Sequence, residues 1–316
     1  MSNINDCVYN VLVSGAAGDI GISIGRILIS EGISNVIGCD VLLDHAGECI
    51  FHQFNQVPKA NDPEYIKEII NLFKINKVDL FIPTSEAEIL LISRMELINR
   101  SIDGVPVLIL DNDIVEVSLN KLKTVQYLKG FNIRVPWTVE SEKHQPVDFP
   151  CIQKPVSGQG SKDVKLFVIG DYTGLMDMPG LIWQEQLLPD DQEYTCCVFR
   201  VEPEISRVIV FKRSLAGGLT GKGEVVVNND ISEYVNAVAN SFNLIGSFNV
   251  QLRLTNSGPI LFEINPRFSS TVMFRHKLGY LDLVWSIELC FGLPLSEYTP
   301  PTEGTKFYRG AYEYFK

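Results

Sequence analysis

The stretch Leu261-Phe-Glu-Ile-Asn-Pro-Arg267 sets two oxygen-bearing side chains, Glu263 and Asn265, at alternate positions of an otherwise apolar run. Alternate residues of a strand share a face, so the carboxylate and the carboxamide leave the same side. Pro266 has no N–H to give and ends the ladder, with Arg267 just beyond it. Hard oxygen donors beside a fixed positive charge suit a Mg²⁺ ion bridging a polyphosphate. Taken alone, the heptapeptide reads better as an edge strand whose polar face meets water. Upstream, residues 248–254 and 259–263 flank Thr255-Asn-Ser-Gly258 and read as two strands joined by a tight turn. Gln251 then sits across the hairpin from Glu263 and Asn265, and three oxygen donors on one sheet face are harder to assign to solvent than one.

A second group lies nearer the middle of the chain. Residues 149–154 read as a strand ending in Lys154, followed by the small-residue loop Pro155-Val-Ser-Gly-Gln-Gly-Ser161. Gly158 and Gly160 let backbone N–H groups turn toward an anion, and Ser157 and Ser161 add hydroxyl donors. Without a lysine at the strand end, such a loop is usually a flexible hairpin tip. Lys154 favours the anion.

The elements that must position these residues are set by the whole chain. At 316 residues it is long enough for two or three compact units, and 46% hydrophobic with 21% charged residues is an ordinary globular composition. A formal charge of −11 disfavours a nucleic-acid or anionic-membrane surface. No apolar run reaches spanning length, and Met1-Ser-Asn-Ile-Asn-Asp6 lacks the basic start of a signal peptide. Seven cysteines, an odd number scattered through strand-like segments, read as reduced thiols of a cytoplasmic protein.

From the N-terminus, a strand over 7–13 runs into Ser14-Gly-Ala-Ala-Gly-Asp-Ile-Gly21, then a helix to about residue 31 and a strand over 36–40. Gly15, Gly18, Gly21 and Asp40 have the spacing of a dinucleotide fingerprint, though the same glycines serve a tight turn and close helix packing with no ligand at all. Helices near 63–74 and 86–99 alternate with strands at 79–83 and 107–110, which implies a parallel sheet covered on both faces. Glu86 and Glu88 lie at a ligand-binding strand end or simply start a helix. A helical stretch over 119–128 and a polar boundary loop over 140–148 follow. Strands are expected at 164–168, 181–188, 194–199 and 208–213, and helices at 231–242 and 281–291. The stretch 214–224, rich in glycine, reads equally as a mobile loop over a site or as a disordered turn with no task, and 299–316 shows no clear period.

Taken in order, several of these pieces resemble the ATP-grasp superfamily, in its carbamoyl-phosphate synthetase and biotin carboxylase-like branch. They are Asn120-Lys121, Phe149-Pro-Cys-Ile-Gln-Lys-Pro155 with Gly158-Gln-Gly-Ser161, Trp183-Gln-Glu-Gln-Leu187 with Glu193-Tyr-Thr195, Gln251, and Glu263-Ile-Asn-Pro-Arg267. The resemblance implies α/β and α+β architecture. A Rossmann-like parallel-sheet domain over 1–112 would precede a two-lobed ATP-grasp fold: a small lobe over 113–186, with a linker helix at 113–130, and a large lobe over 187–316. It implies a ligase that activates a carboxylate as an acyl phosphate, releases ADP and phosphate, and passes the acyl group to an amine. ATP and Mg²⁺ are the implied cofactors, with Mn²⁺ as a substitute. The implied partners are small-molecule carboxylates and amines, with no nucleic acid or membrane and with room for a homodimer.

By position, the resemblance puts Lys121 and Lys154 on ATP phosphates under the loop Ser157, Gly158, Gly160 and Ser161. It puts adenine along Glu185, Gln186 and Leu187, ribose on Glu193, and Mg²⁺ on Gln251, Glu263 and Asn265. Arg267 would face the transferred phosphoryl group, and Arg213 with the 217–223 loop the acceptor carboxylate. Asn120 stands where an Asp often precedes the first lysine, and Glu263 alone of the metal positions is charged. Two other readings compete: a nucleotide-dependent oxidoreductase using Gly15–Gly21, and a non-catalytic ATP-binding protein that keeps the fold. The first leaves residues 150–267 unexplained, and the second is disfavoured by the retention of Lys154, Glu263 and Asn265.

Overall fold

A computed structural model describes residues 4–95, 97–158, 163–170, 179–202 and 205–315. By packing, these fall into two compact units: Met1–Val115 with Arg267–Pro301 and Gly310–Lys316, and Glu116–Pro266 with Thr302–Arg309. The division differs from the three consecutive segments expected from the sequence, because the chain returns to its first unit after Pro266.

The first unit opens with β1 (Asn10–Ser14), α1 (Asp19–Ser30), β2 (Asn35–Asp40), β3 (Gln53–Gln56), α2 (Tyr65–Asn76), β4 (Leu80–Ile82) and α3 (Glu86–Ser93). The strands form a parallel sheet in the order β3-β2-β1-β4. β1 and β2 are nearly continuous apolar runs because both sheet faces are covered. Val11 and Val13 pack on one side with Ile24, Ile27, Leu283 and Val284, while Leu12 packs on the other with Tyr65, Ile69, Phe73 and Phe81.

Two expectations fail here. The fourth strand is β3, a polar edge segment, whereas residues 107–110 make one parallel bridge between Val107 and Phe81. The preceding residues are already committed to a short ladder, β5 (Ser101–Ile102) with β6 (Val105–Pro106), and Pro106 has no N–H to extend it. Helix α3 stops at Ser93, and Leu97 adopts extended backbone that no helix over 86–99 could contain.

The chain enters the second unit within α4 (Asn112–Ser118) and continues into α5 (Lys121–Gly130). β7 (Thr138–Glu140), β8 (Cys151–Pro155), β9 (Lys165–Phe167) and β10 (Leu181–Glu185) form an antiparallel sheet in the order β7-β10-β8-β9. Its small core is Cys151, Phe167 and Trp183, backed by Trp137, Val139 and Phe149. A larger antiparallel sheet contains β11 (Glu193–Glu202), β12 (Ile205–Ala216), β13 (Leu219–Val225), β14 (Gly246–Thr255), β15 (Gly258–Asn265) and β16 (Lys306–Tyr308), ordered β15-β14-β11-β12-β13-β16. Helix α6 (Asn229–Ser241) is capped by the Asn228 side chain accepting from Ile231 N at 3.0 Å, and it buries Ile231, Val235 and Val238.

The stretch read as a mobile loop is instead the β12–β13 hairpin, with β13 paired on both sides. A Cβ at Gly223 would lie 2.6 Å from the Phe307 ring, so the glycine there admits β16, itself hidden in the aperiodic tail. After β15 the chain rejoins the first unit as α7 (Val272–Lys277) and α8 (Asp282–Cys290). Arg275 and Asp282 form a buried bidentate pair between these helices, at 3.0 and 2.8 Å. Among the described residues, no helix is long and apolar enough to cross a membrane.

Candidate functional site

The β14–β15 register pairs Gln251 with Glu263 and Asn249 with Asn265, so all four side chains share a face. Asn265 Nδ2 donates to Glu263 Oε1 at 3.1 Å, which points the amide oxygen of Asn265 away from that bond. Glu263 and Asn265 therefore offer a carboxylate and a carbonyl oxygen side by side. Gln251 is differently engaged: its Oε1 accepts from Arg213 NH2 at 2.8 Å. Asn249 is turned inward, donating to Thr195 Oγ1 and the Cys196 carbonyl, both at 2.9 Å. Among the described residues, no three His, Cys, Asp or Glu side chains come together as a metal cluster. A Mg²⁺ ion bound by one carboxylate, a carboxamide and phosphate oxygens fits this donor set, since Mg²⁺ keeps few protein ligands beside phosphates.

Two lysines converge in the same unit. Lys154 is the penultimate residue of the inner strand β8 and is only 5% exposed; Lys121 opens α5 and is 9% exposed. Asn120 caps that helix by accepting from Lys123 N at 2.9 Å, which explains why an Asn serves where an Asp is commoner. Lys121 is tied to the loop after β8 by its backbone N–H to Val156 O at 2.9 Å and its Nζ to Gly158 O at 2.7 Å. Lys154 Nζ lies 3.5 Å from the Phe262 carbonyl and 5.7 Å from the centre of its ring. Burial, then the charge of Lys121, lower the Lys154 pKa to about 7, with Glu263 opposing and Arg253 adding a smaller depression. Ser157 and Gly158 are exposed beyond the strand, while Gly160 and Ser161 lie outside the described residues.

The remaining predicted contacts follow β10. Glu185 Oε2 accepts from Trp137 N at 3.3 Å, Gln186 N donates to Pro150 O at 3.4 Å, and Leu187 is buried. Glu193 is held by two arginines. Arg213 Nε and NH2 stand 3.1 and 2.9 Å from its Oε1, and Arg253 NH2 donates to its Oε2 at 3.3 Å. Arg213 is thus buried between Glu193, Gln251 and Thr220. Arg253 was not singled out from the sequence. Its signal was the period of two along β14, which puts it on the face of Gln251.

In the first unit, Arg267 NH2 pairs with Glu86 at 3.0 Å and NH1 donates to the Phe268 carbonyl at 2.9 Å. Glu88 closes a capping box with Ser85 and accepts from the Tyr65 hydroxyl, so for Glu88 the helix-start reading holds. The glycine turn is similarly self-contained. Asp40, the residue that would read a dinucleotide ribose, accepts from Ala17 N at 2.9 Å and Leu42 N at 3.0 Å. A Cβ at Gly15 would collide with Thr84, which is reason enough for a glycine there.

Residues 177–306 match the family model described as ATP-grasp in the biosynthetic pathway with Ter operon. Solved structures extend the likeness to nearly the whole chain. N5-carboxyaminoimidazole synthetase from Staphylococcus aureus, complexed with ADP, superposes with a TM-score of 0.70 at 16% identity, over 91% of this chain and 78% of that one. The chain has the ATP-grasp fold. The biotin carboxylase domain of the Hydrogenobacter thermophilus 2-oxoglutarate carboxylase, in complex with MgADP, ADP and bicarbonate, gives 0.69 at 10% identity over 92% and 71% of the two chains. L-amino acid ligase from Bacillus licheniformis gives 0.65 at 16% identity, over 89% and 74%. No curated protein sequence matches the chain. The ATP-grasp assignment accounts for the parallel sheet followed by two antiparallel ones, in the order expected from the sequence.

Proposed function

We propose that this chain is an ATP-dependent, ADP-forming ligase that joins a small-molecule carboxylate to an amine. The observation that carries the proposal is the meeting of Lys154 and Lys121 in a buried setting, beside the Glu263 carboxylate. Two like charges out of water are costly, and a bound polyphosphate removes that cost. The similarity to structures holding ADP, and to an L-amino acid ligase, supports the choice of nucleotide and of reaction.

In this reading Lys121, Lys154 and the loop beyond β8 bind the ATP phosphates, Glu185 to Leu187 border adenine, and Glu193 takes the ribose hydroxyls. Glu263 and Asn265 would hold Mg²⁺ or Mn²⁺, which when bound neutralises phosphate charge; Gln251, engaged by Arg213, shapes the same face. Arg267 is assigned to the phosphoryl group undergoing transfer, with Glu86 fixing its guanidinium. Arg213 positions Glu193 and Gln251, and with the 217–223 stretch it is assigned to the side of the acceptor carboxylate. In-line transfer of the γ-phosphoryl group to a carboxylate oxygen needs positioning and charge stabilisation, and no protein nucleophile. The amine then displaces phosphate from the acyl phosphate. We place the reaction in the cytoplasm, where the seven free thiols stay reduced.

The test is a screen of the purified chain with carboxylate and amine pools, read as phosphate release dependent on both. Lys154→Ala should abolish most of that release while far-UV circular dichroism is unchanged. Release that survives the substitution would remove Lys154 from the site and the proposal with it.

A further inference from the structure

We infer that Arg253 determines sugar specificity in the nucleotide site: by holding one oxygen of Glu193 while Arg213 holds the other, it sets that carboxylate to select a ribonucleotide over a deoxynucleotide. The inference rests on the nucleotide reading above. Glu193 and Arg253 are register partners on the adjacent strands β11 and β14, so their side chains leave the same face. One guanidinium reaches three groups there. Arg253 NH1 donates to the Leu187 carbonyl at 2.6 Å and to the Asp190 carboxylate, and NH2 donates to Glu193 Oε2 at 3.3 Å. Arg253 thus joins the exit of β10 to the carboxylate that opens β11.

Charge and burial show why this is more than a strand contact. The Glu193 side chain is 16% exposed and already has a neutralising partner in the nearly buried Arg213, which takes Oε1. Arg253 adds a second cation to the same carboxylate through the other oxygen. Each carboxylate oxygen has two acceptor sites, so Oε2 keeps capacity beyond its long bond to Arg253. A carboxylate fixed on both sides can accept from a hydroxyl with little reorganisation, through a charge-assisted bond. A sugar lacking that hydroxyl leaves this remaining acceptor site of a poorly solvated carboxylate unfilled, and the loss of a charge-assisted bond sets the discrimination. Without Arg253, Glu193 can turn toward Arg213 and the reading is lost.

The experiment is titration calorimetry of the full chain with Mg²⁺ and, in turn, ADP, 2′-deoxy-ADP and 3′-deoxy-ADP. The wild type should prefer ADP over at least one deoxy analogue by about tenfold or more. Arg253→Met should bring that ratio to within about twofold, and Arg253→Lys, which keeps the charge but not the fork, should give an intermediate ratio. The lysine variant decides the matter should the methionine variant not fold. Equal binding of all three ligands by the wild type, or a wild-type ratio in a folded variant, would overturn the inference and leave nucleotide binding intact. A wild type that binds none of the three defeats the nucleotide reading itself.

Discussion

Lys154 is buried beside a like charge, Lys121, and its titration can be followed. An unperturbed lysine keeps its proton to about pH 10.5, whereas burial and Lys121 bring Lys154 to about 7. Between those values the unfolded chain binds a proton that the folded chain does not. The Lys154 penalty is therefore full below pH 7 and is relieved as pH rises toward 10.5. A polyphosphate restores the charged form, so binding above pH 7 should take up a proton, and affinity should fall by up to about tenfold per pH unit. Calorimetry at pH 8.5 in buffers of different ionisation heat checks this; the uptake should vanish in Lys154→Met. Glu263→Gln should lower turnover by about 10²- to 10³-fold, with the melting curve retained because Asn265 can still donate to the new amide oxygen. The polar side chains of 251, 263 and 265 were legible in sequence because the strand period is short and local. The engagement of Arg213 was not, because it depends on the registers of β12 with β11 and of β11 with β14, which no local pattern states.

At the scale of elements, the β12–β13 hairpin behaves differently from the lid its glycines suggested. Its amides pair with β12 on one side and β16 on the other, so hydrogen exchange over 219–225 should be slow without any ligand. Fast exchange that slows only on nucleotide binding would restore the lid. Gly223→Ala should cost about 1–3 kcal/mol in urea unfolding, because the new methyl meets the Phe307 ring and the Lys212 carbonyl. Helices α1, α2, α6 and α8 were readable from apolar spacing and their ends shifted by only a few residues. Strand β3 and strand β16 were not, since Gln53-Phe-Asn-Gln56 and Lys306-Phe-Tyr308 owe their strand state to neighbours distant in sequence.

For the whole molecule, the glycine turn of the first unit raised a dehydrogenase as an alternative. Asp40 spends both oxygens on backbone N–H groups, Ala17 of the glycine turn and Leu42 just beyond β2, and Gly15 is demanded by Thr84. Asp40→Asn should therefore lower the melting temperature while leaving nucleotide affinity unchanged, and NAD should give no thermal shift comparable to that of MgADP. The ATP-grasp order was visible in the sequence because its motifs sit at strand ends and caps, where residue type is constrained by local chemistry. The division into packing units was not, because it depends on where the segment after Pro266 docks. The central claim is γ-phosphoryl transfer to a carboxylate. It is met most directly by running the reaction with ¹⁸O-labelled carboxylate and analysing the spent nucleotide and phosphate together. ADP and inorganic phosphate in equal amounts, with one ¹⁸O carried into the phosphate, is the expected result; AMP with pyrophosphate, or phosphate free of label, would contradict it.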